Sequence, residues 1–150
     1  AHHPTEVSAT LSMSRLMITS GKSFLPKPPK RIVAIFQPHR FSRTRDFMND
    51  FAKALQAADS IIIAPIYTAG EEIIDGINNH SLADCIKKQN SSIPIDSANN
   101  FDELIELIQK RTKKDDLILN IGAGDINKVW GKLQSKKEEE NDFNSLSKAA

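Results

Sequence analysis

Hydrophobic positions along the chain fall into short continuous runs separated by stretches with a helical period. Ile32 to Phe36, Ile61 to Ile66 (Pro65 near its end) and Leu117 to Ile121 (broken only by Asn120) are the continuous runs. Runs of this kind predict strands buried on both faces, the pattern of parallel sheets. A weaker run, Ser92 to Ile95, contains Pro94, which cannot donate to a ladder, so it predicts an edge strand. Phe47, Phe51, Leu55 and Ala58 then recur every three or four residues, with Ser42 or Thr44 as the cap of that helix. Ser81 with Asp84 reads as a capping box ahead of Leu82, Cys85 and Ile86. Asn100 with Glu103 repeats the device ahead of Phe101, Leu104, Ile105 and Ile108, and Asp125 can cap a last helix bearing Ile126, Val129, Trp130 and Leu133.

Before the first run, Pro4 suits a first helical position and Glu6 the positive end of a helix. Val7, Leu11, Met13, Leu16, Met17 and Ile18 cover most sides of a helix there, leaving Ser8, Ser12, Arg15 and Thr19 as a polar stripe. The pattern therefore predicts a buried helix over 4–20, ended by Gly21, and a proline-bearing loop over 21–30. Together these elements predict an α/β fold: a three-layer sandwich around a mostly parallel, Rossmann-like sheet with right-handed crossovers. One domain is expected over 1–134. From 135 to 150 the chain loses its apolar period and reads as a polar tail with the composition of a disordered segment.

Composition changes this picture little. The chain has 150 residues, 39% hydrophobic and 26% charged, with a formal net charge of +1, which argues against a dedicated nucleic-acid binder. A single cysteine, Cys85, excludes an internal disulfide framework and fits a reducing cytoplasm. No apolar run approaches the ~20 residues of a membrane span. The first residue is Ala1 rather than Met, and the expectation is a domain cut from a longer protein.

Candidate chemistry gathers in three loops that follow strands: Gln37 to Thr44, Tyr67 to Glu72 and Gly122 to Asp125. In an open parallel sheet such loops converge at the carboxyl edge, where ligands bind. The first carries His39, Arg40, Arg43 and Arg45 at a strand-to-helix turn. A helix N-terminus already bears roughly +0.5 of a charge, so cations there point to a site built for an anion. The plainer alternative is a solvated basic turn with Asp46 as local partner. Gly-Ala-Gly-Asp (122–125) invites comparison with a dinucleotide fingerprint, but Asn127 stands where the third glycine belongs, and a tight turn is the competing reading. Ser20-Gly21-Lys22-Ser23 imitates the end of a Walker loop but follows a predicted helix and lacks the first glycine, so it is set aside. His80 and Cys85 lack further ligands, and no metal site is expected.

Four stretches carry a family resemblance: His2-His3-Pro4-Thr5-Glu6, Phe36 to Asp46, Tyr67 to Glu72, and Gly122 to Ile126. With the strand–helix order over 1–134, the chain resembles the C-terminal domain of the Mur ligases of peptidoglycan synthesis. Within that family it is most similar to the branch that joins L-alanine to UDP-N-acetylmuramate. The resemblance implies a cytoplasmic bacterial enzyme in which ATP phosphorylates the muramyl carboxylate and alanine's amine attacks the acyl phosphate. ATP and Mg²⁺ would be held mainly by a central domain, and UDP-N-acetylmuramate by an N-terminal one. It implies that Arg40 and Arg43 bind the alanine carboxylate, with His39 and His2 beside it. His3, Tyr67, Glu71, Gly124 and Asp125 would face the cleft or the nucleotide, and Arg45 would pair with Asp46. No catalytic residue and no metal ligand is assigned to this domain, and neither nucleic acid nor membrane is an expected partner. Two alternatives remain: a murein-tripeptide recycling ligase, which shares the His-His-Pro start but lacks the arginine run, and a free-standing Rossmann-like nucleotide or phosphate module.

Overall fold

The computed structural model describes residues 5–9, 31–122, 125, 126, 128, 129 and 131–133. The elements are β1 (Thr5–Ala9), β2 (Arg31–Gln37), α1 (Phe41–Leu55), β3 (Ser60–Ile63), α2 (Asn79–Gln89), β4 (Ile95–Ser97), α3 (Phe101–Arg111) and β5 (Asp116–Gly122). Helical positions follow at 126, 128, 129 and 131–133. The strands form one five-stranded sheet in the order β1-β5-β2-β3-β4. Every pairing is parallel.

The continuous apolar runs become the inner strands because both faces of the sheet are covered. Along β2, Ile32, Ala34 and Phe36 join one core with Phe51 and Leu55 of α1 and Leu82 and Ile86 of α2. The alternate residues Val33 and Ile35 join the other core with Leu104, Ile105 and Ile108 of α3 and with Ile126, Val129 and Leu133. This is the three-layer arrangement the sequence predicts. Each fully buried isoleucine or leucine contributes about 1.5–3 kcal/mol, so the two cores dominate the stability of the domain. The Pro94 run also lands as expected: β4 begins one residue later, at the sheet edge, and the Pro94 carbonyl accepts from Ile61 N.

Three expectations are corrected. The helix over 4–20 is not formed at its start, since Thr5–Ala9 is a strand paired in register with Leu117–Ile121. Without it β5, apolar and buried, would be an open edge, and that pairing outweighs the helical period of a five-residue segment. The remainder of that helix, the loop over 21–30 and the tail over 135–150 lie outside the described residues. The second correction concerns α2, which starts three residues early. Asn78 is its cap, and Ser81 closes the capping box from the third position. Asn79 requires this start, because its buried amide donates to the carbonyls of Ala98 (2.6 Å), just past β4, and Ile63 (3.3 Å), the last residue of β3. Third, Phe47 is 48% exposed rather than core-facing, at a kink where its backbone leaves helical geometry (φ −114°, ψ 17°).

Candidate functional site

Because all strands run parallel, the segments after β2, β3 and β5 leave from the same edge of the sheet, and hydrogen bonds tie them together. Tyr67 N donates to Pro38 O (2.9 Å) and Arg40 N to Tyr67 O (2.8 Å). Between those bonds the His39 and Tyr67 rings stack with centroids 5.4 Å apart. Gln37, only 1% exposed, reaches both neighbours: its Nε2 donates to Pro65 O (3.3 Å) and its Oε1 accepts from Ile126 N (3.1 Å). Gly122 permits the close approach, since at its φ of 150° a Cβ would sit 3.0 Å from Gln37 O. The convergence expected from topology is therefore present, with Gln37 as its tie. Sequence reasoning gave Gln37 no role, although a polar residue closing a buried apolar run was the available signal.

The arginine turn is built on an unusual backbone. Arg40 occupies the N-cap position of α1 with φ 67° and ψ 145°, and its side chain makes no capping bond. Neither Ser42 nor Thr44 is the cap, because α1 begins before both. Thr44 is buried and turns back, its N–H and hydroxyl donating to Arg40 O at 3.2 and 2.7 Å. Ser42 instead donates its N–H (2.7 Å) and its hydroxyl (2.5 Å) to the two carboxylate oxygens of Glu71, from the loop after β3. The Ser42 hydroxyl first, and its N–H second, hold the Glu71 carboxyl below its usual pKa. A lowered carboxyl contributes stability above its unfolded pKa and loses it as pH falls through the folded value, so the contact is charged and intact at neutral pH.

The three arginines are treated differently. Arg45 pairs with its neighbour Asp46 (Nε–Oδ1 2.9 Å), as expected. Arg40 and Arg43 are exposed, and among the described residues neither guanidinium donates a hydrogen bond or forms an ion pair. A planar guanidinium held this way can take a carboxylate or phosphate through two parallel hydrogen bonds. His39 and Tyr67 sit beside the turn as a stacked, partly buried pair. Asp125 is 39% exposed and faces Lys128 at 3.5 Å. It borders an open hollow of about 240 Å³ with Phe101, Lys128, Val129 and Lys132, on the α3 face, whose lining includes none of the three arginines. His2, His3 and Gly124 lie outside the described residues. Among the described residues no group of three His, Cys, Asp or Glu side chains could hold a metal ion.

A parallel sheet covered by helices on both faces, its loops converging at the carboxyl edge, defines an open α/β domain of the class in which ligands bind beyond the strand ends. The chain belongs to the Mur ligase family: residues 1–124 match the domain described as "Mur ligase, glutamate ligase domain". It is 54% identical over 133 residues to the UDP-N-acetylmuramate–L-alanine ligase of Prochlorococcus marinus strain MIT 9303, covering 89% of this chain and 27% of that protein. It is 49% identical over 135 residues to the enzyme of the same name from Parasynechococcus marenigrum, covering 90% of this chain and 29% of that one. The chain thus spans less than a third of the length of these relatives. The solved UDP-N-acetylmuramate-alanine ligase of Thermotoga maritima shares the fold over 93% of this chain and 29% of its own, with a TM-score of 0.65 at 22% identity.

Proposed function

We propose that this chain is the amino-acid-binding domain of an ATP-dependent ligase that joins L-alanine to UDP-N-acetylmuramate in the bacterial cytoplasm. The observation that carries the reading is the pair of exposed guanidinium groups, Arg40 and Arg43, without a hydrogen bond or ion pair among the described residues, at the carboxyl edge of a domain about half identical to L-alanine ligases. In this reading the two arginines grip the alanine carboxylate and turn its amine toward the acyl phosphate. Attack at the acyl carbon forms the amide bond as phosphate leaves. Fixing the nucleophile in this way removes part of the entropic barrier to the bimolecular step. His39, stacked on Tyr67, forms the wall beside the carboxylate, and His2 is proposed as a second neighbour of the alanine.

ATP and Mg²⁺ are assigned in this proposal to the rest of the protein, of which this chain spans less than a third in its relatives. The domain is proposed to extend over 1–134. The cytoplasmic placement belongs to the same proposal, and among the described residues no helix is long and apolar enough to cross a membrane. Relatives that carry the alanine name at half identity favour this reading over a tripeptide-recycling ligase or a free-standing phosphate module.

The test is steady-state kinetics of the full-length protein carrying Arg40→Ala or Arg43→Ala. Loss of a charge-assisted bond worth about 1.5–3 kcal/mol should raise the KM for L-alanine roughly tenfold to a hundredfold and leave that for ATP nearly unchanged. An unchanged alanine KM in both variants would sink the carboxylate assignment.

A further inference from the structure

Glu71 stands where an external anion would be expected to stand, and its two oxygens are turned to Ser42 rather than to an arginine. We propose that Glu71 is a positioning residue for the arginine turn: by gripping Ser42 it fixes the first turn of α1, so that Arg40 and Arg43 are held open to the amino acid's carboxylate. The inference rests on the proposed function and deepens it.

Three observations support it. The first is electrostatic. The first turn of α1 contains no acidic residue, and the turn bears Arg40, Arg43 and Arg45 against the positive end of the helix. Asp46 is taken by Arg45, so Glu71 is the anion that relieves the helix end. Arg40 lies near enough to help lower the Glu71 pKa through space, yet among the described residues Glu71 forms no direct ion pair with Arg40 or Arg43 that would occupy the groups needed for the ligand.

The second is conformational. The Arg40 backbone lies in a region that glycine favours, at a cost of about 1–3 kcal/mol, and such a backbone persists only where its surroundings over-determine it. Here the Arg40 N–H is tied to Tyr67, its carbonyl to Thr44, and the second residue after it to Glu71.

The third is the loop that delivers the carboxylate. Glu71 N donates to Thr68 O (3.0 Å) across Ala69 (φ 51°) and Gly70 (φ 80°), the two consecutive positive φ angles of a type I′ turn. A Cβ at Gly70 would meet nothing within 4 Å, so the glycine answers a backbone demand rather than a packing one. A strained turn of this kind, ending on a carboxylate that reaches 29 positions back along the chain, is built to place that carboxylate.

The experiment compares Glu71→Ala, Glu71→Gln and Arg40→Ala in the full-length protein, with KM measured for L-alanine, ATP and UDP-N-acetylmuramate and melting followed in parallel. Glu71→Ala should raise the alanine KM about tenfold, with kcat and the other two KM values within about twofold. Glu71→Gln keeps an oxygen that can accept the Ser42 N–H but loses the charge, so it should recover part of the loss, to about a threefold rise. Three results overturn the inference: an alanine KM that is unchanged in both Glu71 variants, one that falls, or a loss spread over all three substrates together with a lowered melting temperature. A fall would mean that the carboxylate competes with the substrate. If Arg40→Ala raises the alanine KM while the Glu71 variants do not, the positioning role alone fails. If Arg40→Ala also leaves it unchanged, the proposed function fails and takes this inference with it.

Discussion

The two edges of the sheet use arginine in opposite ways. At the amino edge, Arg31 at the start of β2 donates Nε (3.2 Å) and Nη2 (2.8 Å) to the Asp116 carboxylate and Nη2 also to Arg111 O (2.6 Å). Arg111 in turn holds Asp96 through Nε (2.7 Å) and Nη2 (3.2 Å). Asp116 is only 3% exposed, and its hydrogen bond is the main reason that the Arg31 pKa is raised. At the carboxyl edge, Arg40 and Arg43 have no such acceptor among the described residues, and the Glu71 carboxylate is turned onto Ser42. The residue type is the same at both edges; what differs is whether the chain supplies the anion. Where it does, arginine locks strands and helices together; where the described residues supply none, the proposed function assigns the acceptor to a ligand.

The largest expected effect that separates the edges is the loss of a lock. Arg31→Ala should lower unfolding free energy by about 2–3 kcal/mol, less than for breaking a fully buried pair, because the guanidinium is 28% exposed. Denaturant melts would measure this, and the alanine KM should not move. A variant that melts normally but binds alanine poorly would erase the distinction between the edges. Gly122→Ala comes next. It forces a side chain into a positive-φ position and against Gln37 O, and should cost about 2 kcal/mol. Because Gln37 ties the β5 loop to the arginine turn, this variant should also raise the alanine KM by a few-fold, so that stability and binding fall together. Normal stability in Gly122→Ala would show that the approach of β5 to Gln37 is looser than the contact implies.

Much of the fold could be read from the chain because β2, β3 and β5 are buried on both faces, which leaves unbroken apolar runs. β1 could not be read in the same way. Five residues containing Thr5 and Val7 fit a helix or a strand, and the open side of β5 decides between them. Helix starts shifted for a similar reason: the demand that moves α2 earlier comes from the Ile63 and Ala98 carbonyls, outside the helix. For the site, topology alone brings the three loops to one edge, and the residue types mark Arg40 and Arg43. The ties among the loops were hidden because donor and acceptor are 29 positions apart for Ser42–Glu71 and 89 for Gln37–Ile126, beyond the reach of any local pattern.

Arg40→Gly carries the comparison further because its two effects should have opposite signs. Glycine adopts φ 67° without strain, so the substitution should stabilise the domain by about 1 kcal/mol, less whatever the more flexible unfolded chain takes back. The alanine KM should still rise, as with any loss of the guanidinium. A more stable but weaker-binding variant is the signature of a residue kept for function at the expense of the fold. If Arg40→Gly is less stable than its parent, the positive φ is not a source of strain and part of the case for an over-determined turn is lost.

The smallest effect belongs to Arg45, whose place between the two groups of arginines makes it informative. It sits in the same turn as Arg40 and Arg43 yet is paired, and its pKa is raised chiefly by the Asp46 hydrogen bond, as Arg31's is by Asp116. Pairing alone would class it with the amino edge, but the two side chains are 52% and 54% exposed, and exposed pairs between neighbours contribute little. Arg45→Ala should therefore move the melting temperature by no more than about a degree and leave the alanine KM within about twofold. A clear loss of stability would mean that a partner, even a solvated one, is enough to make an arginine structural. A clear loss of alanine affinity would mean that position at the turn outweighs pairing, and Arg45 would join Arg40 and Arg43 in the site.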